Sequence, residues 1–147
     1  RTMKVVVDTS TFIRATFEED KTAWETLKKV MTGFEVVSTN EMAEELLTAI
    51  HFASKRKEKD TLKTLEMAAK FLLRTVKIVP KTKFPWCNDP TDAMFIECAI
   101  DGGAKVVISN DRSLIALREY VTDQEALEMI DGIGFLTPRD FLKEYGR

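Results

Sequence analysis

Four carboxylates in this chain stand where a fold could gather them. Asp8 closes the apolar run KVVV, Asp111 stands two residues beyond Ser109 at the end of KVVIS, Asp92 lies near the start of a helix-forming stretch, and Glu45 lies on the flank of another. Carboxylates crowded into one cleft repel strongly unless some take up protons or something positive neutralises them. A hard divalent cation, Mg²⁺ or Mn²⁺, is the simplest answer, because it takes oxygen ligands and keeps positions open for water. Such ions activate water and stabilise charge on a phosphodiester in transfer, so the expected chemistry is metal-dependent hydrolysis of a nucleic-acid backbone. Other chemistries lack their residues: the chain has one histidine and neither a Gly-rich phosphate loop, a Ser-His-Asp set nor a cysteine nucleophile site.

The elements that must position these acids can be read from the same stretches. In NDPTDAMFIECAIDGGAKVVISND, residues 88–111, Asp89 suits an N-cap, Pro90 the first helical position and Asp92 the third. Gly102 and Gly103 offer a left-handed stop, and Lys105 to Ile108 reads as a short buried strand. At about 100° per residue, Asp92 falls in line with Phe95, Ile96 and Ala99, the stripe that should face the sheet. A solvated first-turn acid is the alternative for Asp92, and an ordinary N-cap is the alternative for Asp89 and for Asp111.

The rest of the chain alternates strand and helix. Val5, Val6 and Val7 form a β-branched run that suits a central parallel strand. Helical material follows, with a break at Asp20 or Lys21 and a stop at Gly33. Phe34 to Ser38 is a second strand, and Ser38 with Glu41 fits a capping box opening a helix to about Ser54. On that helix Met42, Leu46, Ala49, Ile50 and Ala53 form the buried stripe. Glu44 lies nearly opposite it, whereas Glu45 lies about 85° from its centre, where an acid can reach a cleft at the sheet edge; a solvated helix surface is the alternative for either acid. His51 also falls opposite the stripe and reads as exposed.

A basic run from Lys55 to Lys59, a helix to about Arg74 and an edge strand around Val76 to Val79 come next. The loop from Pro80 to Asn88 carries Lys81, Lys83, Phe84 and Trp86; it either holds phosphates and stacks bases or packs Phe84 and Trp86 down as a lid on the core. Beyond Asp111 a helix reaches about Arg118. Thr122 with Glu125 offers a capping box for what looks like an inserted element, Ile133 to Leu136 is a last strand, and Thr137 and Pro138 open the closing helix. This pattern predicts a three-layer α/β sandwich with a mainly parallel five-stranded central sheet and right-handed crossovers. KVVVD and KVVIS belong side by side at its centre, where ligands collect beyond the carboxyl ends.

With 147 residues, 44% of them apolar, the chain is expected to form one domain over residues 3–147; Arg1 and Thr2, ahead of Met3, read as an added remnant. A net charge of −2 excludes a general polyanion binder, so nucleic-acid contact requires a local basic patch. No stretch approaches the roughly 18 apolar residues of a membrane span and no signal-peptide pattern opens the chain, so the cytoplasm is the expected location. Cys87 and Cys98 are expected to be reduced and structural.

Taken together, VVVDTS, EEL in the second long helix, DPTDAMFIECA leading into VVISND, and FLTPRDFL at the close resemble the PIN domain family of metal-dependent ribonucleases, almost end to end. The arrangement is similar to prokaryotic single-domain members, among them VapC-like toxins of toxin–antitoxin pairs. The resemblance implies a PIN-like sheet and an acidic quartet, Asp8, Glu45, Asp92 and Asp111, that binds one or two Mg²⁺ or Mn²⁺ ions and positions water for attack on RNA. In this reading Asp8, Asp92 and Asp111 hold the metal directly and Glu45 completes the site or orients the water. Ser10 and Ser109 match positions that support the site through hydrogen bonds, and Asp89 is a supporting or fifth acid. Arg14, Lys81, Lys83 and Arg112 are candidate phosphate contacts from sequence position alone, with a solvated surface as the alternative for each. The resemblance also implies RNA as substrate, an antitoxin protein as a possible partner and a possible homodimer; the segment from Thr122 to Asp131 and the long middle helices depart from toxin-like members. Two other functions compete: a weakly active or inactive PIN-like module that binds RNA or protein, disfavoured by the complete acidic quartet, and a phosphomonoesterase or phospho-receiver on a similar sheet, the phosphatase disfavoured by the lack of Asp-x-Asp after the first strand.

Overall fold

The structure is a computed structural model that describes residues 2–57 and 60–146; Arg1 and the Glu58–Lys59 end of the basic run lie outside the described residues. In chain order the elements are β1 (Lys4–Val7), α1 (Thr9–Thr16), α2 (Lys21–Gly33), β2 (Glu35–Ser38), α3 (Asn40–Lys57), α4 (Thr61–Leu73) and β3 (Val76–Lys77). A 3-10 turn, Pro90–Asp92, leads into α5 (Ala93–Gly102), followed by β4 (Val106–Ile108), α6 (Arg112–Ile115), α7 (Leu117–Tyr120), α8 (Gln124–Met129), β5 (Gly134–Leu136) and α9 (Pro138–Tyr145).

The five strands form one sheet in the order β3-β2-β1-β4-β5, and every pairing is parallel. β1 lies at the centre with β4 beside it, as the unbroken valine runs require: Val5 and Val7 feed the core on one face of the sheet and Val6 the core on the other. The first core takes Phe12 of α1, Leu27 and Val30 of α2, Ile50 of α3, Phe71 of α4 and Phe141 of α9. The second takes Phe95, Ile96 and Ala99 of α5 with Phe84, Leu114, Leu117 and Ile130. The strand order reverses direction between β1 and β4, so the carboxyl ends of those two strands open a crevice there.

Several boundaries differ from the sequence reading for local reasons. The N-cap of α3 is Thr39, whose hydroxyl accepts from the Met42 amide at 3.1 Å; Ser38 is diverted to Thr75 across the sheet edge, Oγ to Oγ1 at 2.7 Å. Asp123, not Thr122, caps α8 by accepting from the Ala126 amide. The helix expected beyond Asp111 is broken at Ala116 into α6 and α7. The segment read as an insertion is part of the second core, with Ala126 and Ile130 fully buried. Gly102 ends α5 against β2, where a β-carbon would lie 3.0 Å from Val37 Cγ2.

Candidate metal centre

Each acid reaches the crevice by a local rule of chain geometry. Asp8 leaves β1 in extended conformation and caps α1, its Oδ1 accepting from the Ser10 amide at 2.9 Å. Asp89 caps the 3-10 turn through the Thr91 amide and hydroxyl, at 3.0 and 2.8 Å, and Pro90 follows where no N–H is needed. Asp92 ends that turn one residue before α5 and is buried. Asp111 caps α6 by accepting from the Ser113 amide at 3.0 Å. Glu45 sits on the partly buried flank of α3 and Glu44 faces solvent, as the angular argument required.

The structure brings all of the predicted quartet to one cleft of about 290 Å³, lined by Asp8, Glu45, Asp92 and Asp111 together with Ser10 and Arg14. Asp92 and Asp111 of this lining, with the exposed Asp89 beside them, place carboxylate oxygens within 4.8 Å of one another. Asp8 and Glu45 do not join that cluster. Both oxygens of Asp8 are already engaged: Oδ2 accepts from Ser10 Oγ at 3.1 Å and from Ser109 Oγ. Ser109 Oγ accepts in turn from the Asp111 amide at 2.8 Å, and Ser10 Oγ from the Asn110 amide at 3.2 Å. The two serines therefore tie the end of β1 to the end of β4.

One residue of the cleft escaped the sequence reading. Ser113 Oγ lies in hydrogen-bond contact with Asp92 Oδ2 and, at 2.8 Å, with Asp111 Oδ1. A hydroxyl has one proton for these two carboxylates, so it donates to only one of them at a time. The readable signal was an Asx turn, a serine two residues after an N-cap aspartate; the contact with Asp92, 21 residues away, was not readable.

Among the described residues no lysine or arginine pairs with Asp8, Glu45, Asp89, Asp92 or Asp111; Arg14 pairs with Asp20 at 3.8 Å and Arg112 with Glu119 at 3.7 Å. Burial, reinforced by the charges of Asp111 and Asp89, pushes the Asp92 carboxyl up to about 6 against the lowering hydrogen bond from Ser113. Burial likewise raises Asp8, and burial with the charges of Asp8 and Asp89 raises Glu45. The Cys87 thiol beside the cleft is pushed up to about 12 by burial and then by Asp92, so it stays protonated and the donor set is one of hard oxygens. Such a set, with its charge unmatched, fits a hard divalent cation.

A consequence for stability follows. A carboxyl whose folded pKa lies above its unfolded value, here about 6 against 3.8 for Asp92, binds protons more tightly in the folded state, so stability falls as pH rises through that window. In chelator, the melting temperature should fall between about pH 5 and about pH 7, and saturating Mg²⁺ should reverse the trend. Thermal melts at the two pH values with and without Mg²⁺ check this; a rise with pH in chelator would contradict it.

Other predicted contacts are placed less favourably. Arg14 lines the cleft, and Arg112 lies beside it, next to Asp111. Lys81 is held at the far end of α5, where Asp101 accepts from the amides of Lys81 and Thr82 at 2.6 and 2.8 Å and from the Thr82 hydroxyl. Asp101 and Asp92 are nine residues apart, about 14 Å along a helix, so the structure does not bring Lys81 to the acids. Lys83 is exposed on the same loop. Phe84 and Trp86 pack edge to face at 5.0 Å, with Phe84 buried and its amide donating to the buried Glu97 carboxylate at 2.8 Å. The lid reading of this loop, not base stacking, describes Phe84. His51 is exposed and packs on Phe52.

A parallel α/β sheet with an acidic crevice at its switch point defines a class that comparison with known proteins identifies. A family profile described as a PIN domain matches residues 4–113, and the chain belongs to the PIN domain family, a family of nucleases. It is 29% identical over 150 residues to the uncharacterized protein MJ1680 of Methanocaldococcus jannaschii, covering 97% of this chain and 92% of that one. Among solved structures, PAE2754 from Pyrobaculum aerophilum aligns with a TM-score of 0.58 at 14% identity, over 97% of this chain and 88% of that one. VapBC2 from Rickettsia felis, solved bound to a DNA fragment from their promoter, aligns at 0.57 and 15%, over 92% and 98%. VapBC-1 from nontypeable Haemophilus influenzae aligns at 0.54 and 14%, over 93% and 99%. At these identities the structural matches establish the shared fold. Among the described residues, no helix is long and apolar enough to cross a membrane.

Proposed function

We propose that this protein is a Mg²⁺- or Mn²⁺-dependent ribonuclease that hydrolyses RNA phosphodiester bonds. The observation that carries the reading is the cluster of Asp89, Asp92 and Asp111 at the switch point of a PIN sheet, with Asp92 buried and none of the three paired with a cation among the described residues. Asp89, Asp92 and Asp111 would hold the cation, with Ser113 orienting the latter two. Asp8, fixed by Ser10 and Ser109, adds negative charge to the cleft and sets the position of the Asp111 segment. Glu45, raised by its surroundings, is suited to accept a proton from attacking water at the cleft wall. When bound, a divalent cation lowers the pKa of water and offsets charge developing on the phosphodiester.

Arg14 and Arg112 are the phosphate contacts best placed for this substrate. Their partners are surface carboxylates, and exposed pairs of this kind are worth only about 0–1 kcal/mol, so a phosphate can displace them. The likeness to two VapBC structures supports an antitoxin protein as partner and a toxin role for the chain. A homodimer and a cytoplasmic location belong to the same reading.

Metal removal is the direct test. Mg²⁺ and Mn²⁺ should bind the protein calorimetrically, and cleavage of a mixed-sequence RNA should vanish in chelator and return on adding either ion. Cleavage that persists in chelator, or a wild type that binds neither ion, would overturn the proposal; metal binding without cleavage of any RNA would favour a PIN-like binding module.

A further inference from the structure

The cleft acids arrive on separate pieces of chain, and one side chain outside the cleft joins two of those pieces. Asp89 comes at the end of the loop that contains Asn88; Asp111 and Ser113 come at the start of α6. Tyr120, in α7, reaches back over α6, and its hydroxyl donates to the Ser113 carbonyl at 2.9 Å. The same oxygen receives the Asn88 amide at 3.5 Å, a long bond at the loose end of the tie.

We propose that Tyr120 is a positioning residue of the metal centre: its hydroxyl, placed between the Asn88 amide and the Ser113 carbonyl, fixes the spacing of the two chain segments that deliver Asp89, Asp111 and Ser113. This inference rests on the metal-centre reading above. Ser113 is the residue whose side chain meets both Asp92 and Asp111, so anchoring its backbone orients two acids at once. Asn88 immediately precedes Asp89, so holding its amide restrains the third. Outer hydrogen bonds of this kind orient ligands and are typically worth about 10–100-fold in metal affinity.

The test uses the whole protein and two independent readouts. Tyr120→Phe keeps the ring and removes only the hydroxyl. Its Mg²⁺ affinity, measured by calorimetry, should fall about 10-fold or more, while its melting temperature in chelator should fall by no more than about 4 °C, one hydrogen bond's worth for a domain of this size. Tyr145→Phe, altering the chain's other tyrosine, which packs on Phe34 and Phe141, should leave Mg²⁺ affinity unchanged. Independently of any Tyr120 variant, tyrosine labelled with ¹³C at Cζ gives two NMR resonances, assigned through Tyr145→Phe. The Tyr120 resonance should move with the same Mg²⁺ midpoint as the calorimetric titration. A Tyr120→Phe protein with wild-type Mg²⁺ affinity, or a Tyr120 resonance that stays fixed while Mg²⁺ binds, overturns this inference and leaves the proposed function standing. A wild type that binds no Mg²⁺ or Mn²⁺ overturns both.

Discussion

An Asp92→Asn variant is expected to lose RNA cleavage by on the order of 10²–10³-fold, the range seen when one charge-stabilising group is removed from a reacting centre, and yet to melt higher than the wild type in chelator near neutral pH. The two effects have one cause. Asp92 is buried beside Asp89 and Asp111 with no cationic partner among the described residues, and its carboxyl is pushed up to about 6. An asparagine there carries no charge, still accepts from Ser113 Oγ, and offers an N–H to Asp111. The relief is on the order of 1 kcal/mol once solvent screening of the cleft is allowed for, or roughly 2–4 °C in a domain of this size. Calorimetric melts in chelator and RNA cleavage in Mg²⁺ measure both arms on one preparation. A variant that is inactive and also less stable would show that Asp92 serves packing and not charge, and the metal-centre reading would lose its support.

The second large effect lies in the loop ahead of the site. Phe84→Ala should destabilise the fold by about 3–5 kcal/mol, the range for truncating a buried aromatic side chain, lowering the melting temperature by roughly 10 °C. Phe84 is 1% exposed, its ring packs on Trp86, and its amide is held by Glu97. Glu97 and Asp101, one turn apart on α5, together bind the amides of Lys81, Thr82 and Phe84. The loop is thus fastened to the same helix that Asp92 precedes. If Phe84 instead stacked RNA bases, its removal would weaken RNA binding and leave the melt unchanged; thermal melts and RNA titrations of one variant separate the outcomes.

The acids were legible because each follows from a short-range rule. Asp8 follows a run of valines that only a central strand explains, Asp92 continues the apolar stripe of α5, and Glu45 is told from Glu44 by angle alone. What was not legible depends on partners distant in sequence. Ser113 reads as an ordinary first-turn serine until Asp92 is brought to it, and Tyr120 as one more residue of a surface helix. Asp89 reads as a cap, which it is; its place beside Asp111 depends on a contact between segments 22 residues apart. Asp8, expected to hold metal directly, also accepts from two serine hydroxyls, one of them 101 residues away. The cap displaced from Ser38 to Thr39 has the same origin, the Ser38 hydroxyl finding Thr75; nothing in residues 112–120 marks the break at Ala116.

Gly102 gives α5 a further property. With a β-carbon there only 3.0 Å from Val37 Cγ2, the helix end lies on β2 at a distance set by the absence of a side chain. The opposite end of the same rigid rod follows directly from Asp92. Residues 37 and 102 thus form a complementary pair, and bulk added to one must be removed from the other if the rod is to keep its tilt. The end of α5 that meets β2 and the end that Asp92 precedes are in this way coupled through two apolar positions outside the acidic cluster.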